Sequence, residues 1–459
     1  MNEELVEIFE KMEELYKERK FADLKRELLD MESVDIAIFI EESFTEEHDK
    51  VRVFRLLPKD IASDVFVEFN TDTQELLIKT FTDKELKAVI DDMFLDDTVD
   101  IIEEMPANVV KRILQNTDPE ERKIINKLLE YPDDSAGSLM TPEFVSFSAK
   151  MTVKEAFDKI RQTGLDKETI YTCYVTNNKK KLIGVITAKK LLLSPQDEII
   201  ENLMDTAVVS IDTLEDRESV ALMFQKYDFL ALPVIDKEGC LVGIITVDDA
   251  VDVIQEEATE DIQKMAAILP TDKPYLKTSI WRIWLNRMPW LLLLMISATF
   301  TSIILSGYEE SLSALVSGAV LYAFIPMLTG TAGNAGGQSS VTVIRAIALG
   351  EVDFKDAFKV LLKEFCVAFL SGLTVAIVCF VKLLFIDSLY SEVTLNVALI
   401  VSGVLFLTVI MAKLVGCFLP ILAKVCKLDP AVVASPLMTT VVDALALIIY
   451  CSVSIAFLA

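Results

Sequence analysis

The sequence predicts a multidomain chain in three parts: an all-α acidic domain of helical repeats, a tandem pair of small α/β modules, and a five-helix α transmembrane domain. Three observations carry this reading. Charge is unevenly divided: of 44 Lys/Arg and 71 Asp/Glu, only 11 and 10 lie from Lys277 onward, leaving a net −28 before it and +1 after. The middle of the chain repeats itself at an offset of 59 residues. The last part is built of long apolar runs, one of which holds a single charge, Asp443. These shifts set boundaries at 1–131, 132–200, 201–250, a connecting acidic helix over 251–278, and 279–459.

A chain of 459 residues has room for several domains. The acidic first part disfavours nucleic acid and anionic lipid as its partners and favours cations. The opening MNEELVEIFEKMEELYKERK has no apolar core behind a basic head, so no cleaved signal peptide is expected. Five of the seven Cys fall in the apolar part and none has metal-ligand spacing, so they read as packing residues. His48 is the only His, which makes His-based catalysis or a His metal site improbable. No nucleophile–base pair or phosphate loop is present, and the chain does not read as an enzyme.

Glu3–Tyr131 reads as short amphipathic helices with acidic connections. Asp35-Ile, Asp64-Val and Asp100-Ile each open a similar apolar stretch, which suggests stacked irregular repeats. Acids cluster at Asp91, Asp92, Asp96, Asp97 and Asp100. The repeated modules follow. Leu182-Ile-Gly-Val-Ile-Thr-Ala-Lys-Lys matches Leu241-Val-Gly-Ile-Ile-Thr-Val-Asp-Asp, and both copies begin with a Leu-Met pair. Each reads strand, helix (Val153–Gln162; Glu218–Tyr227), strand, turn, strand, helix. This module resembles a tandem CBS pair, which implies an adenine-nucleotide site. Its pattern is carried by Gly243, Thr246 and Asp249; the first copy has Lys190 where Asp is expected, so a nucleotide site is expected on the second copy. Beyond it, Asp249, Asp252, Glu257, Glu260 and Asp261 fall largely along one side of a helix. One acidic stripe is usually a solvated face, but acid clusters on several packed modules repel unless divalent cations bridge them.

Five spans are expected in the apolar part: Met288–Leu305, a second from near Leu312, then Phe365–Val381, Val393–Met411 and Ala431–Ala459. Lys277, Arg282 and Arg287 precede the first. Arg345, Lys355, Lys359 and Lys363 are assigned between the second and third, and Lys413, Lys424 and Lys427 between the fourth and fifth. Glu309, Glu310, Lys382, Asp387 and Glu392 are assigned to the opposite side. That asymmetry predicts cytosolic N-terminal domains and an external C-terminus. Asp443 lies about 18 Å along a helix from Ala431, near the midplane. An ionised Asp there costs roughly 2.5–3.5 kcal/mol on insertion scales, so a cation, a proton, a wet path or a polar contact within the bundle must offset it. The second span carries Pro326 and the run GTAGNAGGQSS. Its glycines suit either close helix packing or the lining of a cavity. Asn334 and Gln338 share a helical face and offer hard amide oxygens suited to Mg²⁺ or Ca²⁺. Thr439 and Thr440 either face the same path or bond back to their own helix.

The order of these parts resembles the MgtE-type magnesium transporters over essentially the whole chain. The matching motifs are Glu257-Ala-Thr-Glu-Asp261, Pro326 with Gly333-Asn-Ala-Gly-Gly-Gln338, and Asp429-Pro430 with Pro436-x-x-Thr-Thr-x-x-Asp443. The resemblance implies a homodimeric, channel-like Mg²⁺ uptake protein of the bacterial cell membrane, embedded in lipid, with its path between helices two and five. Asp443 then matches the pore carboxylate for hydrated Mg²⁺. It further implies cytosolic Mg²⁺ sensing by Asp96, Asp97, Asp100, Asp228, Asp249, Asp252, Glu257, Glu260 and Asp261, and ATP at the CBS pair. Three rivals stand beside it, one of them an enzyme or membrane-tethered regulator that transports nothing, which would leave the pore-like polar residues unexplained. A broader divalent transporter taking Co²⁺ or Mn²⁺ shares every motif. A CBS-regulated anion channel is disfavoured by an intramembrane Asp with no basic residue at comparable depth.

Overall fold

A computed structural model describes residues 3–271, 275–276, 278–315, 317–389, 393–434 and 436–458. Lys277, Glu392 and Ala459, used above for loop charges and span limits, lie outside these residues. Contacts divide the chain into two units, residues 1–254 and 255–459.

The first unit begins with ten short helices among the described residues. These are α1 (Glu3–Lys17), α2 (Phe21–Leu29), α3 (Ser33–Ser43), α4 (Glu47–Phe54) and α5 (Lys59–Val67), then α6 (Thr71–Thr80), α7 (Asp83–Ile90), α8 (Leu95–Glu104), α9 (Ala107–Asn116) and α10 (Pro119–Leu128). Their starts are written in the sequence. Thr82 and Glu85 form a reciprocal capping box on α7, Asn70 caps α6, and Asp118 caps α10 ahead of Pro119. Asp64 and Asp100 sit inside α5 and α8 and do not open them, so the repeat phase read from Asp-Ile and Asp-Val pairs is displaced. Large apolar side chains such as Phe39, Leu77, Ile78 and Leu86 fill one core, which continues into the second α/β copy through Ile211, Phe224 and Val234.

Both α/β copies appear as expected. The first has β1 (Phe144–Ser148), α11 (Val153–Thr163), β2 (Thr169–Thr176), β3 (Leu182–Thr187), α12 (Ala188–Leu193) and α13 (Ile200–Leu203). The second has β4 (Ile211–Asp212), α14 (Arg217–Tyr227), β5 (Ala231–Ile235) and β6 (Leu241–Thr246). In each sheet the first two strands are parallel and the last two antiparallel. The Leu-Met pairs explain themselves in three dimensions. Met140, ahead of the first copy, packs on Gly243 of the second, where a Cβ would come 2.7 Å from its sulfur. Met204, which opens the second copy, packs likewise on Gly184 of the first, at 2.6 Å. The copies are thereby exchanged at their entrances. Helix α15 (Val247–Met265) starts directly after β6, four residues before the expected start of the connecting helix.

The second unit holds α16 (Ile280–Ser313), α17 (Gly318–Ala348), α18 (Ala357–Phe385), α19 (Leu395–Val425), the short α20 (Pro430–Ala434) and α21 (Pro436–Leu458). Among the described residues, four of the five long helices are apolar enough to cross a membrane, by length and composition. The exception is α17, which is long enough but is diluted by the Thr, Gly, Asn and Gln residues that marked it in the sequence. Helix α19 packs against α17, α18 and α21, whereas α16 lies on α21 and exposes Leu291, Leu292, Met295, Phe300 and Ile303. Polar links fix α21: Tyr450 donates to the Leu321 carbonyl at 2.8 Å in the interior, and the half-buried Ser297 donates to Thr440 at 2.8 Å.

The structure corrects several boundaries. The 29-residue run ending the chain is two helices, and Asp443 stands seven residues into α21, about 10 Å from its start. Pro436, lacking an N–H, opens α21 where that donor would be unpaired anyway. Glu309 and Glu310 belong to α16, Arg345 and Lys424 to the last turns of α17 and α19, and Lys359 and Lys363 to the first two turns of α18, so few of the counted charges lie in loops. Lys413 is not a loop residue at all. It lies inside α19 and is 5% exposed. A basic residue therefore exists at membrane depth, contrary to the expectation used against an anion path.

Candidate cation sites

In the second unit, an open groove of about 600 Å³ is lined by Pro326, Thr329, Gly330, Gly333, Asn334 and Gly337 from α17 and by Met438, Thr439 and Asp443 from α21. Two of the three expected path residues, Asn334 and Asp443, thus meet in one cavity. Gln338 does not line it; at about 100° per helical residue it is turned some 40° beyond Asn334 and is exposed. The two threonines divide: Thr439 lines the groove, while Thr440 accepts the Ser297 hydrogen bond.

The glycines of α17 also divide, so the run serves both close packing and the lining of the groove. A Cβ on Gly330 or Gly333 would meet nothing within 4 Å. One on Gly336 would come 2.8 Å from the Met438 sulfur and 3.0 Å from the Ala412 carbonyl oxygen. The backbone stays helical throughout, so the groove is widened by missing side chains and not by irregular backbone. An Asp carboxylate, an Asn amide, hydroxyls and helical surface without side chains make a polar trough of hard oxygens, suited to a cation that retains water.

In the first unit, Asp96, Asp97 and Asp100 of α8 gather with Asp249 of α15, four of the expected sensing residues. Two residues that the sequence reading missed complete the set, Glu143 and Glu168, from the segments leading into β1 and β2. Glu143 accepts from the Leu95 amide at 2.9 Å and so stands at the start of α8. Asp249 is held by the Thr246 hydroxyl at 2.6 Å. Burial, then Asp249 and Glu143, pushes Asp96 up to about 7. Burial with Asp96 and Asp100 raises Asp97 to about 8, and burial with Asp96 and Asp249 raises Glu168 to about 8. Asp100, at the solvent rim, rises to about 7 from burial, Asp96, Glu103 and Asp249. Burial and neighbouring carboxylates dominate these shifts, Lys167 acts on Glu143, and one buried oxygen of Asp96 has no hydrogen-bond partner. Carboxylates crowded in this way need either protons or a cation.

The remaining expected acids are more scattered. Asp252 is exposed and raises Glu68, together with burial and Asp64. Asp228 is exposed in left-handed conformation at the end of α14. In the second unit, Lys264 bridges Glu260 at 2.7 Å and Asp429 at 2.8 Å. Burial would lower its pKa, but those two hydrogen bonds outweigh burial and raise it. Asp261 is raised by burial and by Asp429. Asp429, of the Asp429-Pro430 motif, meets α15 through Lys264.

The residues expected to hold a nucleotide have close neighbours of their own. Gly243 is covered by Met140, and Asp249 belongs to the acid cluster. A cavity of about 320 Å³ lies instead between the copies, lined by Thr172, Tyr174, Thr187, Lys190, Asp205 and Phe229 among others. The fully buried Tyr174 hydroxyl beside it has no hydrogen-bond partner. A cavity with an ammonium, a carboxylate, hydroxyls and an unpaired phenol suits a ligand that both donates and accepts hydrogen bonds.

Long apolar helices with a polar groove, joined in one chain to an acidic helical domain and a CBS pair, define the class of membrane cation transporters with cytosolic regulatory domains. The comparisons with known proteins agree. Residues 325–453 match the profile described as divalent cation transporter, residues 31–134 the MgtE intracellular N domain, and residues 136–196 and 200–256 the CBS domain. The magnesium transporter MgtE of Thermus thermophilus is 37% identical over 412 residues, 89% of each chain. That of Bacillus subtilis is 32% identical over 97% of this chain and 96% of its own. The chain belongs to the MgtE family. Among solved structures, the soluble part of a magnesium transporter aligns with a TM-score of 0.52 at 30% identity, covering 55% of this chain and 99% of its own. The cytosolic domain of the Mg²⁺ channel MgtE in complex with ATP aligns at 0.50 and 33% identity, covering 53% and 98%.

Proposed function

We propose that this chain is a Mg²⁺ transporter that acts as a channel-like homodimer in the cell membrane, with its N-terminal and CBS domains in the cytosol and its C-terminus outside. The carrying observation is the groove in which Asp443, Asn334, Thr329 and Thr439 face one space. Mg²⁺ sheds water reluctantly. Asp443 supplies the charge that draws the ion, while Asn334 and the hydroxyls offer hydrogen bonds to its waters, and the open glycines leave room for them. Asp443 from two copies facing across an axis would double the charge and complete a ring whose width selects the hydrated ion.

On the cytosolic side, Asp96, Asp97, Asp100, Glu143, Glu168 and Asp249 would hold a divalent cation, as would Asp252 with Glu68, and Glu260 and Asp261 with Asp429. A bound cation supplies the counter-charge that lets these acids stay packed. With the ion scarce, their repulsion favours an open form; with it abundant, closure follows because the closed form binds more tightly. Asp228 and Glu257 are assigned to the same sensing surface. Tyr174, Lys190 and Thr187 would hold an adenine nucleotide such as ATP, which supplies an anionic ligand to the CBS pair. The exposed Leu165, Tyr171, Leu192 and Leu193 offer apolar area for the second copy.

A broader divalent specificity is the second reading, because the oxygens that line the groove accept Mn²⁺ as well as Mg²⁺ and the Met438 thioether adds a softer group. The test is uptake into proteoliposomes. Wild type should take up Mg²⁺ and Asp443→Asn should lose uptake while the assembled protein persists. Unchanged uptake in Asp443→Asn would remove the groove from the ion path.

A further inference from the structure

We infer that Lys413, Ser339 and Glu364 form a charge-neutral clasp that sets the rotation of α17 and so positions Asn334 in the groove; this rests on the proposed cation path. The three residues come from three helices. Lys413 on α19 is 5% exposed and Ser339 on α17 is 1% exposed. The Lys413 ammonium donates to the Ser339 hydroxyl at 3.4 Å, and that hydroxyl donates to the Glu364 carboxylate of α18 at 2.6 Å. One serine thus passes a hydrogen bond between a buried cation and an anion, and each charge compensates the other inside the membrane domain.

The clasp sits where α17 needs it. Gly336 of α17 rests against Ala412 and Gly416 of α19, one turn from Ser339 and Lys413. Such contacts let helices approach closely. Ser339 supplies the direction that glycines lack. It follows Asn334 by five residues, about 140° around the helix, on the far side from the groove. A rotation that breaks the Ser339 bonds would swing Asn334 out of line with Asp443. Lys413 and Glu364 are positioning residues, acting through Ser339 on the groove.

The test uses the full chain in proteoliposomes. Ser339→Ala should stay assembled, raise the KM for Mg²⁺ about tenfold with little change in maximal rate, and slow thiol labelling of an Asn334→Cys background, read peptide by peptide to separate native cysteines. Ser339→Thr, which keeps the hydroxyl, should restore both. Lys413→Met alone should lose assembled protein, because Glu364 is left uncompensated. The double variant Lys413→Met/Glu364→Gln should recover assembly but keep the raised KM. Wild-type KM and wild-type labelling in both Ser339→Ala and the double variant would overturn the clasp. If the unmodified chain takes up no Mg²⁺, the proposed path falls, and the labelling rates alone still decide the clasp.

Discussion

Gly416 and Gly336 touch backbone to backbone: a Cβ built on Gly416 would strike the carbonyl oxygen of Gly336. Helices α17 and α19 therefore cross at a point where only hydrogen fits, and the groove-lining face of α17 is held from behind. Gly416→Ala must force the pair apart and should cost about 1–3 kcal/mol, read as a lowered thermal midpoint in detergent. Gly330→Ala is the contrast. Its Cβ meets nothing, and alanine is the better helix former by roughly 0.5–1 kcal/mol, so stability should hold or rise. Its methyl enters the groove, and Mg²⁺ uptake should fall. Equal losses of stability in the two variants would contradict the division of faces.

The acid cluster predicts a pH dependence with a definite sign. Asp96 and Asp100 at about 7, and Asp97 and Glu168 at about 8, keep protons in the folded state that the unfolded chain releases near pH 4. Between those limits the native state binds more protons, so metal-free stability should fall as pH rises from 4 through 8. Mg²⁺ competes with the same protons. Its protective effect on the cytosolic domains should be weak at pH 6 and strong at pH 8.5, with the midpoint concentration shifting by about tenfold. Limited proteolysis of the full chain against Mg²⁺ at several pH values reads this directly. A midpoint independent of pH would exclude these carboxylates as the ligands.

How much of this was legible in the sequence depended on whether a residue stood out against its neighbours. Asp443 and Asn334 did, because polar groups in apolar runs need a reason, and they do share the groove. The glycines of α17 were visible as unusual, but which of them pack and which stay open depends on where α19 lies. Lys413 was misread because a span was ended at Met411; a hydropathy pattern cannot distinguish a buried charge with a partner on another helix from a loop charge. Glu143 and Glu168 were missed for a similar reason, since they reach Asp96 from separate connections with no local spacing to betray them. The break at Pro436 was in plain view and was passed over because apolar residues continue across it.

Lys264 holds Glu260 and Asp429 while Asp261 lies close by, so it acts as a tethered cation at this end of α15. Lys264→Met would leave three carboxylates facing one another. Docking should then depend on added divalent cation: protease protection of α15 should need about two- to fivefold more Mg²⁺ than wild type. Lys264→Arg should remain near wild type. Protection of Lys264→Met at the wild-type concentration would show that Met265, packed with Ile344 and Ala431, suffices to seat the helix.

The cavity between the α/β copies makes the last prediction, because it separates two places for a nucleotide. The sequence pattern pointed to Gly243, Thr246 and Asp249, but Gly243 is filled by Met140 and Asp249 is committed to the acid cluster. Lys190, the residue that departs from the pattern, lines the cavity with Thr187 and the unpartnered Tyr174 hydroxyl. A lysine there favours phosphate as a charge-assisted donor. Lys190→Ala should therefore weaken ATP binding to the full chain by about tenfold and leave adenosine binding unchanged. Tyr174→Phe should weaken both, because a buried hydroxyl that a ligand satisfies would be gone. Asp249→Asn should change Mg²⁺ protection and leave ATP untouched. Loss of ATP binding in Asp249→Asn with none in Lys190→Ala would return the nucleotide to the second copy.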